Sequence, residues 1–294
     1  MSCTFNKIGL IGKHSDPDVG DTLRELGEYL QEHQCEVLLE DSTAKACGDQ
    51  GLKTVPIGTI GAQCDLAIIV GGDGTMLNSA RKLSEFNVPL VGINQGRLGF
   101  LADISPAALK ETLDPILAGD YIEESRSILH ASFICENGME TESDAFNEVA
   151  IHKWNVARMI ELDTYIDDQY VNTQRSDGLI VSSPTGSTAY ALSGGGPLVH
   201  PSLNSVILVP ICPHTMSHRP LVVGGDSTIE IVISEKNTED AQVTCDGQFN
   251  FNLIPGDRVI IKNKPNPVRL IHPQGYDYYS VLRAKLHWSR KLAT

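Results

Sequence analysis

The stretch Asp65 to Thr75, DLAIIVGGDGT, leaves this chain few folds to choose from. Leu66 to Val70 is a continuous apolar run, rich in branched side chains and too short for most helices. Strands covered on both faces of a parallel sheet look like this. The run stops at Gly71-Gly72-Asp73-Gly74-Thr75, where glycines surround one carboxylate, and Met76 to Leu83 then has helical composition. Glycine removes the side chain that keeps a phosphate from backbone N–H groups, and a helix N-terminus favours an anion. A tight strand-to-helix turn that merely needs glycine would look much the same. Asp73 tips the balance toward chemistry, because a carboxylate beside a phosphate site needs a proton or a metal to handle.

The same strand–helix rhythm runs through the first third. Lys7 to Ile11 reads as a strand closed by Gly12, and Asp16-Pro17 reads as a helix start. Val19, Leu23, Leu26 and Leu30 then recur at helical spacing. Cys35 to Leu39 is a second strand, whereas residues 41–63 are polar, bear glycines and take no assignment. Val88 to Ile93 is another strand, ending in Asn94-Gln95-Gly96-Arg97-Leu98-Gly99-Phe100, a second loop with glycines and an arginine. Ser105-Pro106 opens a helix carrying Leu109, Leu113 and Ile116, with Pro115 expected to kink its last turn and Gly119 to close it. These elements predict an α/β N-terminal domain with an open, mostly parallel sheet, whose ligands collect at the carboxyl ends of the strands.

From Tyr121 to about Ile271 the helical period fades. Thr228 to Ile233 partly alternates, Asp257 to Lys262 follows a Pro255-Gly256 turn, and Asp246-Gly247 is a hairpin signal. An all-β, sandwich-like C-terminal domain is expected over 121–271. In the tail, Tyr279, Leu282 and Leu286 return to helical spacing with Trp288 behind them, so the last helix should pack back on the first domain. The first domain is thus expected to span 1–120, with 272–294 returning to it. A length of 294 residues suits two such cores.

Lys+Arg 23 against Asp+Glu 37 gives a formal charge of −14, a surface that repels nucleic acid and anionic membrane. A nucleotide site must then be a local exception, built from backbone N–H groups, a few basic residues and Mg²⁺. No run of about 18 apolar residues occurs, and the N-terminus reads straight into a strand. Seven scattered cysteines, never paired as C-x-x-C, predict reduced thiols with neither a disulfide framework nor a zinc site. The nine His residues form no metal cluster, no Ser-His-Asp spacing stands out, and the Walker pattern G-x-x-x-x-G-K-[ST] is absent.

Three stretches of the second domain hold more polar and glycine residues than a sandwich requires. Asn147 and Glu148 sit side by side, so a shared role requires a bulge or a strand end; a solvated strand edge would read alike. Arg175 to Pro197 supplies hydroxyls, backbone amides, Tyr190 and several glycines, too many for a loop with nothing to bind. The third is Cys245-Asp246-Gly247-Gln248, which a plain hairpin turn would also explain.

Together, GGDGT after a buried strand, the Asn147-Glu148 pair, DGLIVSSPTGSTAYALSGGGP and the Asp246-Gly247-Gln248 turn resemble the NAD kinase family of bacterial type. The order and spacing match along nearly the whole chain, including the closing HPQGYDYYSVLRAKLHW. GGDGT alone is shared with 6-phosphofructokinases and lipid kinases of the diacylglycerol type. The stretch from Pro184 to Tyr190 with its following glycines is the more specific part.

The resemblance implies a cytoplasmic enzyme that moves the γ-phosphoryl of ATP to the 2′-hydroxyl of the adenosine ribose of NAD, giving NADP with Mg²⁺ assistance. It implies Asp73 as the catalytic carboxylate, with Gly72 and Gly74 making room for substrate. It further implies Asn147 and Glu148 on the dinucleotide's riboses and adenine, and Asp177 near the nicotinamide end. Thr188, Ala189, Tyr190 and Ser193 would line the pocket, with Asp246 and Gln248 on the neighbouring turn and Phe100 and Arg175 at nearby positions. Homodimers or homotetramers are implied as well. A kinase for a sugar phosphate or lipid, or a non-catalytic dinucleotide sensor, would share part of this pattern. Asp177 beside the nicotinamide would favour positively charged NAD over NADH, with Arg175 either offsetting or holding it.

Overall fold

The structure, a computed structural model, describes residues 4–13, 17–48, 50–96, 99–154 and 158–288. Asp16, Arg97 and Leu98 lie outside the described residues. The chain divides into two compact units, Met1–Ser125 with Val268–Thr294, and Arg126–Pro267.

The first unit is built on a sheet that the glycine-loop strand runs through. In chain order its elements are β1 (Lys7–Gly12), α1 (Pro17–Glu32), β2 (Glu36–Glu40), α2 (Asp41–Cys47), β3 (Lys53–Val55) and α3 (Ile57–Gln63). There follow β4 (Leu66–Val70), α4 (Asp73–Leu83), β5 (Leu90–Ile93), α5 (Leu109–Leu117) and β6 (Tyr121–Arg126). The sheet order is β3-β2-β1-β4-β5, continued by a strand from the end of the chain and then β6. β4 pairs parallel with β1 on one side and with β5 on the other, and all five of its residues are buried. Strand order reverses between β1 and β4, so the crevice at their carboxyl ends is the switch point where ligands of open α/β sheets bind.

Two helices escaped the sequence. α2 is capped by Glu40, whose carboxylate accepts from the Thr43 N–H at 2.7 Å and from the Thr43 and Ser42 hydroxyls at 2.7 and 2.6 Å. Burial works against the charge of Glu40, yet these hydrogen bonds outweigh it and hold the carboxyl down at about 2. Glutamate is not among the preferred N-cap residues, so this start carries no sequence signal. α3, with two glycines in seven residues, has little helical propensity of its own and is held by Ile60, which is fully buried.

α4 begins at Asp73, three residues before its expected start. The Gly72 carbonyl accepts from the N–H groups of Thr75 and Met76 at 3.0 and 3.2 Å, so the helix winds as soon as the strand ends. Gly74, a poor helix former, hides that start in the sequence. α5 continues through Pro115 to Leu117 and ends at Gly119, which takes φ +91 as expected of a terminating glycine.

The second unit holds β7 (Leu129–Ile134), β8 (Glu140–Ala145), β9 (Glu148–Lys153), β10 (Ile160–Ile166), β11 (Gln169–Ser176) and β12 (Gly178–Ser182). It continues with α6 (Tyr190–Ser193), β13 (Ser205–Ile211), β14 (Leu221–Gly224), β15 (Ile229–Ile233), β16 (Ala241–Cys245), β17 (Phe249–Leu253) and β18 (Arg258–Asn263). Two sheets of order β11-β10-β15-β18-β7-β8 and β14-β13-β12-β9-β16-β17 pack face to face. β7, β15 and β16 alternate buried and half-buried residues, as strands with one covered face do. β12 is buried on both faces, because α6 and Val199 pack on Ala150, Ile180, Ile207 and Val209 from the far side.

The chain then returns through β19 (Val268–Pro273), which pairs parallel with β5, to α7 (Tyr278–Leu286) in the first unit. The expected boundaries at 120/121 and 271/272 therefore move to 125/126 and 267/268. Both β6 and β19 belong to the seven-stranded sheet of the first unit, although composition alone reads them as part of the β-rich run. α7 buries Tyr278, Val281 and Leu282, whereas the expected stripe began at Tyr279, which is exposed. Asp277 caps this helix through the Tyr279 N–H at 2.9 Å and thereby sets its phase. Among the described residues no helix is long and apolar enough to cross a membrane.

Candidate active site

Asp73 is fixed before any substrate arrives. Its Oδ2 accepts from the Phe100 N–H at 2.9 Å, and its Oδ1 accepts from Leu101 at 3.0 Å and Ala102 at 3.4 Å. A carboxylate offers about four acceptor positions, so one remains at Oδ2. Gly99 is obligatory here, since a Cβ at that position would collide with the Asp73 carboxylate. Gly72 and Gly74 are the opposite case: a Cβ at either would meet no atom within 4 Å. Both therefore face open space beside the carboxylate.

Phe100 joins this group through its N–H, and its ring lies 5.5 Å beneath the Lys285 ammonium. Lys13, which the sequence reading passed over, sits at the switch point with its N–H on the Val70 carbonyl at 3.0 Å. Leu101 and Ala102 were also missed, because they contribute only backbone N–H groups, which side-chain identity does not report.

The second unit carries the other named residues. Asp246 and Gly247 both take positive φ, +52 and +62, in the turn joining β16 to β17, which the Gln248 N–H closes on the Cys245 carbonyl at 2.9 Å. The turn does more than reverse the chain. Asp246 accepts from the N–H groups of Phe146, Asn147 and Glu148 at 2.8, 2.8 and 3.1 Å. Asn147 and Glu148 thus sit at a strand end, the arrangement that a shared role requires.

Behind them lies the Ser182–Ser187 stretch, and its polar groups serve the backbone. Ser183 donates its hydroxyl to the Phe146 carbonyl at 2.6 Å and its N–H to the Asn147 carbonyl at 2.8 Å. Gly186 leaves no room for a Cβ against the Asn147 carbonyl. Ser183 and Gly186 thus hold Asn147 in place from behind.

Glu148 is strongly perturbed. It is 8% exposed, accepts the Tyr190 N–H, and its Oε2 has no hydrogen-bond partner among the described residues. Burial first, and the Asp246 charge second, push its carboxyl up to about 8 despite the Tyr190 N–H. At neutral pH it is therefore mostly the acid, able to donate as well as accept. Tyr190 is partly exposed, and its ring stacks on His152 at 5.6 Å between centroids. Burial holds the His152 imidazole below its ordinary range.

Asp177 has a partner that the sequence reading did not find. Lys153 Nζ lies 2.6 Å from its Oδ1, delivered by β9, whose Lys153 N–H also bonds the Asp177 carbonyl at 3.0 Å. Arg175 forms no hydrogen bond or ion pair with Asp177 among the described residues. It is exposed on the edge strand β11, lining a separate concavity with Arg158, Glu161 and Lys236. Thr188 and Ala189 are half-buried just before α6, while Ser193 at its end and Gln248 on the turn are exposed.

The Glu148 environment predicts a pH signature. Its folded pKa lies above the unfolded value near 4.5, so the folded state holds an extra proton between about 4.5 and 8. The stability this contributes is present below about 4.5 and is lost as pH rises toward 8. Glu148→Gln should therefore unfold at a higher temperature than the parent, by a margin that grows from pH 5 to pH 8 and then levels off. The limiting gain is on the order of a few kcal/mol. Thermal unfolding at pH 5, 7 and 9 checks this, and a margin independent of pH would show that the acid is not neutral.

Residues 8–121 match the model of the ATP-NAD kinase N-terminal domain, and residues 146–273 that of the ATP-NAD kinase C-terminal domain. An NAD kinase of Nitrosococcus oceani is 49% identical over 292 residues, spanning 99% of this chain and 100% of its own length. A crystal structure of an NAD kinase from Archaeoglobus fulgidus in complex with ATP has a TM-score of 0.75 at 27% identity, covering 96% of this chain and 98% of that one. Yeast NADH kinase complexed with NADH has a TM-score of 0.89 at 23% identity over 98% of this chain and 89% of that one, a likeness of fold. With two domain models in chain order and near-half identity from end to end, the chain belongs to the NAD kinase family and is an ATP-dependent phosphotransferase acting on NAD.

Proposed function

We propose that the phosphoryl acceptor is the 2′-hydroxyl of the adenosine ribose of NAD, and that Asp73 orients this hydroxyl and takes its proton as the new bond forms. One observation carries the reading: the Asp73 carboxylate is immobilised by three N–H groups with an acceptor position left on Oδ2. A secondary hydroxyl is a poor nucleophile, and a carboxylate held within hydrogen-bond reach raises its reactivity without moving. Gly72 and Gly74 keep the space beside it clear for ribose and phosphate. Phosphoryl transfer asks for little more than such positioning and neutralised charge.

The second unit holds the dinucleotide in this proposal. Asn147 and Glu148, presented by Asp246, bind ribose and adenine; Glu148 as the neutral acid donates to an acceptor atom, which an ionised carboxylate would repel. Tyr190, backed by His152, offers a ring face, with Thr188, Ala189 and Ser193 beside it. Among the described residues no three His, Cys, Asp or Glu side chains converge as a metal cage. The donor set suits Mg²⁺ arriving on the nucleotide, since that ion is held by phosphates, water and one or two carboxylates. When bound, it spreads the negative charge of the triphosphate. The chain further assembles with copies of itself, for which the exposed Leu221 and Val222 on edge strand β14 and Tyr170 and Val171 on edge strand β11 give apolar contact. A cytoplasmic enzyme with reduced thiols completes the reading.

Asp73→Asn should keep the fold and most of the affinity for NAD while NADP formation from ATP, Mg²⁺ and NAD falls by about two to four orders of magnitude. Near-normal turnover in that variant would leave the carboxylate as a loop anchor only. Because Lys153 neutralises Asp177, Asp177→Asn should lower kcat/KM for NAD and NADH by similar factors. A loss confined to NAD would restore a charge-based preference for the oxidised ring. Sedimentation at assay concentration should give a dimer or tetramer, and a fully active monomer would rule out self-association as part of the site.

A further inference from the structure

We infer that His272 is a positioning residue for the transfer. Clamped between Asp103 and Glu124, it holds the Gly99–Ile104 segment in the place where that segment's N–H groups fix Asp73. The assignment rests on Asp73 being the base. His272 lies on β19 and is 1% exposed. Its Nδ1 is 2.9 Å from Asp103 Oδ2, its Nε2 is 3.4 Å from Glu124 Oε2 on β6, and its ring lies flat on Tyr276 at 3.8 Å and 8°. A carboxylate on each side suits an imidazolium, which has a proton for both nitrogens, whereas the neutral ring has one. Burial opposes the charge, but the two carboxylates outweigh it and the pKa is raised.

A buried imidazole between two half-buried carboxylates is a poor source of stability, since desolvation offsets most of the attraction. What this one does is fix geometry. Asp103 directly follows the residues that hold Asp73. The segment is anchored to β5 through Ile104, whose N–H bonds the Gly92 carbonyl at 3.3 Å and whose carbonyl accepts from the Asn94 N–H at 2.8 Å. It is closed on itself by the Gly99 N–H on the Ala102 carbonyl at 3.1 Å. Between these contacts, the Asp103 side chain joins the segment to β19 through His272. Without it, the three N–H groups would keep only Asp73, the Ile104 anchor and the Gly99–Ala102 closure, and the carboxylate would follow a segment with no side-chain tie to β19. A misplacement of about 1 Å at a reacting group costs roughly a hundredfold in rate.

His272→Gln and the near-isosteric Asp103→Asn test this. Amide exchange at Phe100, Leu101 and Ala102 should accelerate at least about tenfold in both, under conditions well below unfolding. Turnover should fall by about ten- to a hundredfold with KM for NAD changed by less than about twofold. In an Asp73→Asn background, either change should add less than about twofold, because residues that act through one another are not additive. A full additional loss in that background, or unchanged exchange and turnover in the single variants, overturns the assignment. If Asp73→Asn itself stays active, the base reading fails; faster exchange at the three amides would still show that His272 holds the segment. Should His272→Gln not fold, Asp103→Asn carries the same measurements.

Discussion

Among the described residues, each unit holds a carboxylate that gathers three consecutive backbone N–H groups. Asp73 at the start of α4 collects Phe100, Leu101 and Ala102; Asp246 in a hairpin turn collects Phe146, Asn147 and Glu148. Loop N–H groups removed from water must find acceptors, and a single ionised side chain can satisfy three at once. Each clamp also decides where a neighbouring functional group stands. The first immobilises the clamping residue itself, the proposed base. The second presents Asn147 and Glu148.

The charge of −14 gives this arrangement its logic. A chain so acidic has few cations to spare for a polyanionic substrate, and Lys153 is already committed to Asp177. In the proposed site, a neutral Glu148 removes one negative charge that would otherwise face the dinucleotide. Backbone N–H groups and open glycine positions at a strand-to-helix junction supply attraction without any ionised side chain, which is how phosphates are accommodated in many open α/β sheets.

The β4 strand, the glycine loop and the two-core plan were legible because each follows from local sequence. A five-residue apolar run closed by glycines is too short for most helices, and a β-rich stretch of this length needs a second sheet to cover it. What stayed hidden was non-local or carried by the main chain. Glu40 caps α2 without belonging to the usual capping residues, so residues 41–63 gave no pattern. β6 and β19 read as part of the β-rich half, since nothing in their composition says which sheet they join. Lys153 and Asp177 are partners across neighbouring strands, 24 positions apart, and adjacency in sequence suggested Arg175 instead. The hydroxyls of the Ser182–Ser187 stretch looked like ligand contacts, but Ser183 and Ser187 satisfy carbonyls at 2.6 and 3.2 Å. Their service is to hold Asn147 and the stretch itself in shape.

The segment from Ser183 to Val199 is loop-like in composition, yet it forms one layer of an apolar core. α6 and Val199 cover Ala150, Ile180, Ile207 and Val209, and that cover is why β12 is buried on both faces. Swinging this segment aside would uncover Ile180, Val199, Ile207 and Val209, at about 1.5 to 3 kcal/mol for each that becomes fully exposed, and less for Ala150 and Ala191. Induced fit by hinging of Tyr190 and its neighbours is thereby made expensive. In the proposed site, the wall that carries Tyr190 would meet its ligand already rigid, leaving adaptation to single rotamers at its exposed positions, such as those of Tyr190 and Ser193.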